Sequence, residues 1–140
     1  MCIAKQLVND FYQKLWDAQD KAAMVDVLAK NFTFRGSLGQ EKRGHQGFAE
    51  YVDLVHSALA DYKCHIIELV AEEHKVFAKM SFTGIHRNSF MGFEPTGELV
   101  TWSGAALFTI ENSLIADVWV LGDLKSLQDQ LEAQQELLQS

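Results

Sequence analysis

In residues 65–86, HIIELVAEEHKVFAKMSFTGIH, two runs of largely alternating polar and apolar side chains flank Glu72, Glu73 and His74. A period of two is typical of a strand with one buried face, and three residues are enough to turn the chain back in a hairpin. The pattern therefore predicts strands over 65–71 and 75–86. The segments 98–111 and 114–121 repeat the alternation around a turn at 111–113. Strands joined so tightly pair antiparallel, so we expect a meandering antiparallel sheet.

The chain before this sheet has helical spacing instead. Apolar residues recur every three to four positions over 3–16, 21–29 and 47–59, which predicts three amphipathic helices. Polar and aromatic side chains alternate over residues 31–36, which predicts one more strand, and a glycine-rich loop follows it. Residues 124–138 place leucines near heptad spacing and predict a last helix that docks on its own domain or on a second copy.

Helices that precede a meandering sheet indicate the α+β class. The N-terminal helices are the available cover for one face of the curved antiparallel sheet, and a twisted sheet wrapped around helices leaves a concave interior. We therefore expect a cone-shaped domain with one internal pocket for an apolar small molecule. The length of 140 residues is that of one domain, so residues 1–140 are predicted to form a single domain.

Composition and charge limit the classes of partner that the protein is expected to bind and the compartment in which it is expected. The formal net charge of -7 repels phosphate backbones, so nucleic acid is not expected to bind. No apolar run approaches the roughly 20 residues of a membrane span, and the first residues lack the apolar core of a signal peptide. The two cysteines, Cys2 and Cys64, are a poor basis for a disulfide framework and are predicted to be free. The protein is therefore expected in the cytoplasm.

Asp123 is the first candidate for acid/base chemistry. Strict alternation from Ile115 puts Asp117, Trp119, Leu121 and Asp123 on one strand face, where acidic groups share apolar surroundings. Such surroundings raise the pKa of a carboxylate toward the range useful for proton transfer. The alternative is structural, because Asp123 also precedes the last helix, where aspartate is a favoured N-cap. The two roles can coexist only if one carboxylate oxygen is left free.

His86 and Arg35 are further candidates. His86 ends the strand 75–86 beside a loop, where a histidine can transfer protons or serve as a hydrogen-bonded structural residue. Arg35, if buried, needs an anionic partner such as Asp123 or a ligand oxygen; otherwise it is a surface charge. The remaining candidate pocket residues are aromatic, and each of them is equally explained as core: Trp102, Trp119, Tyr12, Tyr51 and Phe82.

Motifs for metals, thiol catalysis and phosphate binding do not occur. The five histidines show neither HxxxH nor HxH spacing, and neither cysteine lies in a CxxC. The segment from Gly36 to Gly47 contains neither GxGxxG nor a Walker lysine. We therefore predict no metal site.

Residues 46–131 resemble the SnoaL-like polyketide cyclases of the nuclear-transport-factor-2-like superfamily. Five features carry the resemblance by their order and spacing: Glu68–Glu72, Gly84–His86, Pro95–Gly97, Ile115 with Trp119 and Asp123, and Leu127–Leu131. The resemblance implies a cone-shaped α+β fold, no cofactor, a homodimer, and an intramolecular aldol ring closure with the aspartate at position 123 as acid/base. A carbon flanked by carbonyls is already acidic, so one carboxylate in a dry pocket suffices for this chemistry.

The sequence departs from the family pattern in places that concern loops and rims. Ala60 stands where the family has proline, Asn112-Ser113 replaces its Asp-Gly turn, and Asp117 replaces a glutamate. Other activities of the superfamily fit less well. An epoxide hydrolase would carry charged residues where Met80 and Phe82 stand, and a ketosteroid isomerase would have a carboxylate near Arg35.

These observations lead to two expectations. One is a cofactor-independent cyclase or isomerase for a small carbonyl compound, with Asp123 as acid/base and His86 as helper, while Arg35 and Trp102 shape or polarise the pocket. The other is a non-catalytic protein that binds an apolar metabolite, with Asp123 only capping the last helix. Whether the protein is an enzyme is left open at this point. In either case the convex face of the sheet is expected to pair with a second copy.

Overall fold

The computed structural model describes residues 2–139. Its α-helices are α1 (Ile3–Asp10), α2 (Met24–Val27), α3 (Gly44–Ala58) and α4 (Leu124–Gln139). A π-helical segment, Phe11–Asp17, continues α1, and a 3₁₀ turn, Lys21–Ala23, leads into α2. The strands are β1 (Leu28–Arg35), β2 (Glu41–Arg43), β3 (Leu59–Glu72), β4 (Lys75–His86), β5 (Leu99–Glu111) and β6 (Leu114–Gly122).

The six strands form one sheet in the order β2-β1-β6-β5-β4-β3. Neighbouring strands are antiparallel except β1 and β6, which run parallel. The sheet is therefore mixed, where the sequence predicts an antiparallel one. The difference arises because β1 is not joined to the β3–β6 meander by a hairpin. Strand β2 and helix α3 separate them in the chain, and β1 pairs with β6, the last strand of the meander. Helices packed on one sheet confirm the α+β class.

Most element bounds lie close to the predicted ones, and β4 spans the predicted residues. The second helix is shorter than expected: it ends at Val27, and Leu28 begins β1 as a buried residue. Strand β2 was not predicted, because its three residues are polar and short. It pairs with the outer edge of β1 through Lys42 opposite Phe34.

A β-bulge in β6 changes which face its side chains occupy. Ile110 pairs with Ile115, but the preceding Thr109 pairs with Asp117, so Ala116 is an extra residue on β6. One extra residue moves every following side chain to the opposite face. Val118 and Val120 therefore face the core together with Ile115, while Asp117, Trp119 and Leu121 face outward. The strict alternation assumed from the sequence is wrong for this strand.

The concave face of the sheet packs against α1, its π-helical continuation and α3. On β4 and β5 the inward side chains are the even-numbered ones, among them Met80, Phe82, Trp102 and Phe108. Bulges in β3 at 60–63 and 66–68 bend the sheet, since each adds a residue to one strand only. Phe11 packs edge-on to Phe108 with ring centroids 5.3 Å apart, which joins helix and sheet.

Helix α4 docks on its own domain and covers a free edge of β5. Leu127 and Leu131 are fully buried. The Gln130 amide accepts a hydrogen bond from the Thr101 N–H (3.0 Å) and donates one to the Thr101 carbonyl (2.5 Å). The β5–β6 register begins only at Gly104, so these side-chain bonds replace the missing strand partner. The prediction that residues 124–138 dock as a helix is confirmed.

Candidate functional site

A cavity lies between the π-helical segment, α3 and the concave face of the sheet. Its walls are almost wholly aromatic and aliphatic, and none of the described lining residues carries a charge: Phe11, Tyr12, Trp16, Phe34, Ser37, Leu38, Tyr51, Val55, Tyr62, Phe82, Trp102 and Val120. The free space is about 20 Å³, which is enough for about one water molecule. A larger ligand would therefore enter by moving part of the wall.

A surface groove of about 270 Å³ adjoins the cavity and shares Leu38, Tyr51 and Val55 with it. The other side of the groove is formed by Phe90 and Met91. Phe90 and Phe93 pair in a tight turn whose central residues, Met91 and Gly92, have positive φ. The shared residues identify this side of the molecule as the entrance to the cavity.

The local structure explains why so many aromatic rings meet here. In the segment Phe11–Asp17 the π-helical winding buries Phe11, Tyr12, Leu15 and Trp16 together. On the sheet side, cross-strand pairing sets Phe82 opposite Trp102, with ring centroids 5.4 Å apart. The cavity is thus enclosed by rings whose positions are fixed by backbone register.

Two hydrogen-bond donors in the cavity wall are unpartnered. Tyr12 Oη and Trp102 Nε1 are buried and have no hydrogen-bond partner among the described residues. Burial raises the pKa of Tyr12 well above its ordinary value, and it raises the pKa of Tyr51 to about 12. Both phenols therefore keep their protons at neutral pH, so the residues of the cavity wall carry neutral O–H and N–H donors.

Of the six side chains predicted to bind substrate, the structure brings four together around the cavity: Tyr12, Tyr51, Phe82 and Trp102. Arg35 and Trp119 lie instead on the outer face of the sheet, where Trp119 is 45% exposed. The bulge at Ala116 turns Trp119 outward, and Arg35 stacks over its ring at 5.6 Å. The Arg35 guanidinium donates to the Val120 carbonyl, so it needs no carboxylate partner.

Asp123 is exposed and caps α4. Its Oδ1 accepts a hydrogen bond from the Ser126 N–H at 3.1 Å, which is the bond expected of an N-cap. Its Oδ2 accepts no hydrogen bond within residues 2–139. The preceding residue, Gly122, adjoins the cavity: a Cβ there would lie 3.3 Å from Trp102 Nε1 and 2.9 Å from the Ser37 carbonyl oxygen. The cap is therefore one residue away from the cavity wall.

His86 is fully buried at the end of β4 but does not line the cavity. The Thr96 N–H donates to His86 Nδ1 at 3.3 Å, which assigns the proton of the neutral ring to Nε2. Nε2 has no partner in the described part of the chain. Burial lowers the pKa of His86, so the ring is neutral at pH 7. Thr96 also donates to Gln134 at 3.0 Å, which connects this histidine to α4.

The sequence missed several lining residues. Phe34 lies in the predicted strand 31–36 and Trp16 ends the predicted helix 3–16, but neither has a predicted pocket role; Tyr62 lies outside every predicted element. Phe34 carried a usable signal, since the alternation in β1 puts it on the same face as buried Phe32. Tyr62 carried none, because a bulge with Asp61 at φ 52° precedes it. Ser37 and Leu38 lie in a loop whose path the sequence pattern does not describe.

Clusters of metal-binding type are absent from the described chain. Within residues 2–139, no three histidine, cysteine, aspartate or glutamate side chains lie together in a way that could hold a metal ion. In the same part of the chain no helix is both long and apolar enough to cross a membrane.

The model of the SnoaL-like polyketide cyclase family matches residues 6–131. No curated protein matches the chain by sequence. A proposed polyketide cyclase from Acidithiobacillus ferrooxidans superposes with a TM-score of 0.83 at 22% identity, covering 94% of this chain and 96% of the other.

Two further solved structures are similar to the chain. TsrD from Streptomyces laurentii has a TM-score of 0.81 at 24% identity, with 94% and 96% of the two chains covered. A SnoaL-like polyketide cyclase from Agrobacterium tumefaciens has a TM-score of 0.79 at 18% identity, with 94% and 99% covered. At sequence identities of 22%, 24% and 18%, these similarities show that the chain shares the fold of the three proteins.

Proposed function

Because the chain belongs to the SnoaL-like polyketide cyclase family, we propose that it binds a small, largely apolar carbonyl compound in its aromatic cavity without a cofactor. The observation that carries the proposal is the cavity itself, a buried space walled by rings and adjoined by an entrance groove. Burial of apolar ligand surface against such rings supplies the binding free energy.

The test uses the three tryptophans of the chain. Trp16 and Trp102 line the cavity, whereas Trp119 lies outside it. In the W119F variant, fluorescence therefore reports on the cavity alone. Titration with the bicyclic ketone 1-tetralone is expected to quench it in a saturable way. A V55F substitution, which fills the cavity from α3 without adding a tryptophan, is expected to abolish the response. Quenching that does not saturate, or that survives V55F, would overturn the proposal.

Catalysis by Asp123 is a second candidate, favoured by the free carboxylate oxygen. Oδ1 holds the cap, Oδ2 is unbonded among the described residues, and Gly122 connects the cap to the cavity wall. In this hypothesis the carboxylate takes a proton from the carbon next to a ligand carbonyl, and the electron pair of the broken C–H bond moves into an enolate. Ring closure then follows by attack of that carbon on a second carbonyl of the ligand, whose oxygen takes the proton back from Asp123 and becomes a hydroxyl.

Proton abstraction can be measured without the natural substrate. In D₂O, an acid/base residue exchanges the hydrogens at carbon 2 of 1-tetralone for deuterium, which NMR follows directly. The D123N variant keeps the cap, because asparagine is as good an N-cap as aspartate. It is expected to lose about 100-fold in exchange rate with little change in stability. Exchange that stays at the wild-type rate in D123N would leave Asp123 as a cap only.

His86 has a positioning role in this proposal. It holds the loop 87–98 through the Thr96 N–H, and Thr96 in turn binds Gln134 of α4. The loop carries Phe90, which borders the entrance groove. His86 thereby supports the entrance without contacting a ligand in the cavity.

A second copy of the chain is the proposed macromolecular partner. On the outer face, Val70, Phe77, Leu107 and Trp119 form one cross-strand row, the outer row, which continues to Arg35 on β1. All four apolar members are exposed. At the β3 end, Glu68 and Glu72 flank the row. A two-fold axis through its centre would set Arg35 of each copy near the acidic end of the other.

Neither nucleic acid nor a membrane is proposed as a partner, since the net charge is -7. The proposed location is the cytoplasm. Its support is that both cysteines are free, with Cys2 exposed and Cys64 buried. Exposed thiols stay reduced in that compartment. Fractionation of cells that produce the chain tests this, and recovery in a membrane or secreted fraction would contradict it.

A further inference from the structure

The described part of the chain leaves three buried side-chain donors without a hydrogen-bond partner: Tyr12 Oη, Trp102 Nε1 and His86 Nε2. Native proteins satisfy nearly all buried polar groups, because an unpaired one forfeits its bonds to water. Two of the residues that carry these donors, Tyr12 and Trp102, line the same cavity. Two unpartnered donors on residues of one cavity favour a ligand that brings a hydrogen-bond acceptor into it.

The remaining wall defines what these two donors can meet. The described lining residues include no arginine, lysine, histidine or carboxylate. A carboxylate or phosphate ligand would therefore lose its hydration and gain no counter-charge. A neutral oxygen acceptor has no such cost, and a carbonyl oxygen has two lone pairs for two donors. The wall thus favours an uncharged ligand that presents a carbonyl oxygen to the two donors and apolar surface to the rings.

We propose that Tyr12 Oη and Trp102 Nε1 together donate hydrogen bonds to a single carbonyl oxygen of the ligand, and that this pair selects ketones over hydrocarbons of equal shape. The inference rests on the proposed function, since it names the ligand group recognised in the same cavity. Donors fixed in a dry site also stabilise the negative charge that develops on such an oxygen when an adjacent carbon loses a proton. The pair would serve ligand selection and enolate formation alike.

Two probes of nearly equal shape test the pair. 1-Tetralone and tetralin differ by the carbonyl oxygen, and calorimetric titration measures both affinities. The wild type is expected to bind the ketone about five- to tenfold more tightly. In Y12F, which removes only the hydroxyl, and in W102F, which removes the N–H, this ratio is expected to fall towards one. A ratio that persists in both variants would overturn the proposal.

A second measurement needs no ligand. If the Tyr12 hydroxyl is unpaired, Y12F removes a costly buried group, so its Tm is expected to rise by about 2–5 °C. The comparison variant is Y51F. The Tyr51 hydroxyl is partnered by the backbone at Leu38, so its removal is expected to lower the Tm. A Y12F variant that is less stable than the wild type would overturn the inference.

The possible failures can be told apart. If both probes bind the wild type equally well, the cavity function stands and the oxygen site is refuted. If neither probe binds, the proposed function fails, and the inference that depends on it falls as well.

Discussion

Ala116 shows how one residue decides which side chains face the cavity. If Ala116 were a regular strand residue, strict alternation from Ile115 would place Trp119 in the interior; because Ala116 forms a bulge, Val120 faces inward instead. A bulge residue has no signature in a polar–apolar pattern, since Ala116 suits either face. Tyr12, Tyr51, Phe82 and Trp102 could be predicted because helices and regular strands carry them, whereas Trp119 and Arg35 could not.

His86 gives a prediction about acid stability. Burial lowers its pKa in the folded state, so below the ordinary histidine value of 6.5 the unfolded chain binds more protons than the folded one. Its contribution to stability is therefore present above pH 6.5 and is lost as the pH falls through the folded-state pKa. We expect the Tm of H86Q to decline less between pH 7 and pH 5 than that of the wild type.

The matched control for His86 is H74Q, in the exposed β3–β4 turn. Its Tm should follow the wild-type profile over the same pH range. Equal slopes for wild type and H86Q would show that another group governs stability in acid. His56 would then be the next group to test, because burial lowers its pKa as well.

Gly122 gives a second prediction for a single residue. A Cβ there would lie 2.9 Å from the Ser37 carbonyl oxygen, which is backbone and cannot turn away. G122A is expected to lose about 1–3 kcal/mol in unfolding free energy by overpacking. The control is G47A in α3, where the nearest atom would be 3.7 Å away and alanine favours the helix by about 0.5–1 kcal/mol. Denaturant unfolding of both variants measures the two changes in unfolding free energy, which are expected to have opposite signs. An unfolding free energy of G122A equal to that of the wild type would contradict the close approach of Gly122 to the Ser37 backbone.

Among the elements, helix α4 is held to the rest of the molecule by its buried leucines. Leu131 is fully buried against the sheet, whereas Leu138 on the same helix is 58% exposed. L131A is expected to destabilise the fold by about 2–5 kcal/mol, because it leaves a cavity under the helix. L138A serves as the control and should stay within about 0.5 kcal/mol of the wild type. Similar losses in both variants would mean that α4 is not held by its leucine face.

The elements themselves were the most predictable level of structure. Regular periodicity defined β4, β5 and α4 to within a few residues. Strand β2 and the bulges escaped prediction because they depend on partners distant in sequence, such as Lys42 opposite Phe34. The parallel pairing of β1 with β6 escaped for the same reason, since it reflects the whole chain path rather than a local pattern.

For the whole molecule, the outer row predicts self-association. Phe77 lies in the middle of that row and is 43% exposed. We expect F77E to be monomeric in light-scattering measurements at concentrations where the wild type is a dimer, because a charge in an apolar contact is costly. V25E is the control, since Val25 is 67% exposed on α2, outside the row. A wild type that is monomeric at all concentrations would refute the dimer.

The most direct test of the account is a crystal structure of the protein saturated with 1-tetralone. We expect the bicyclic ring in the aromatic cavity, beside Phe82, with the entrance at Leu38 widened and the ketone oxygen within hydrogen-bond distance of Tyr12 Oη and Trp102 Nε1. An empty cavity with the probe elsewhere, such as on the outer row, would contradict the claim that this cavity is the functional site.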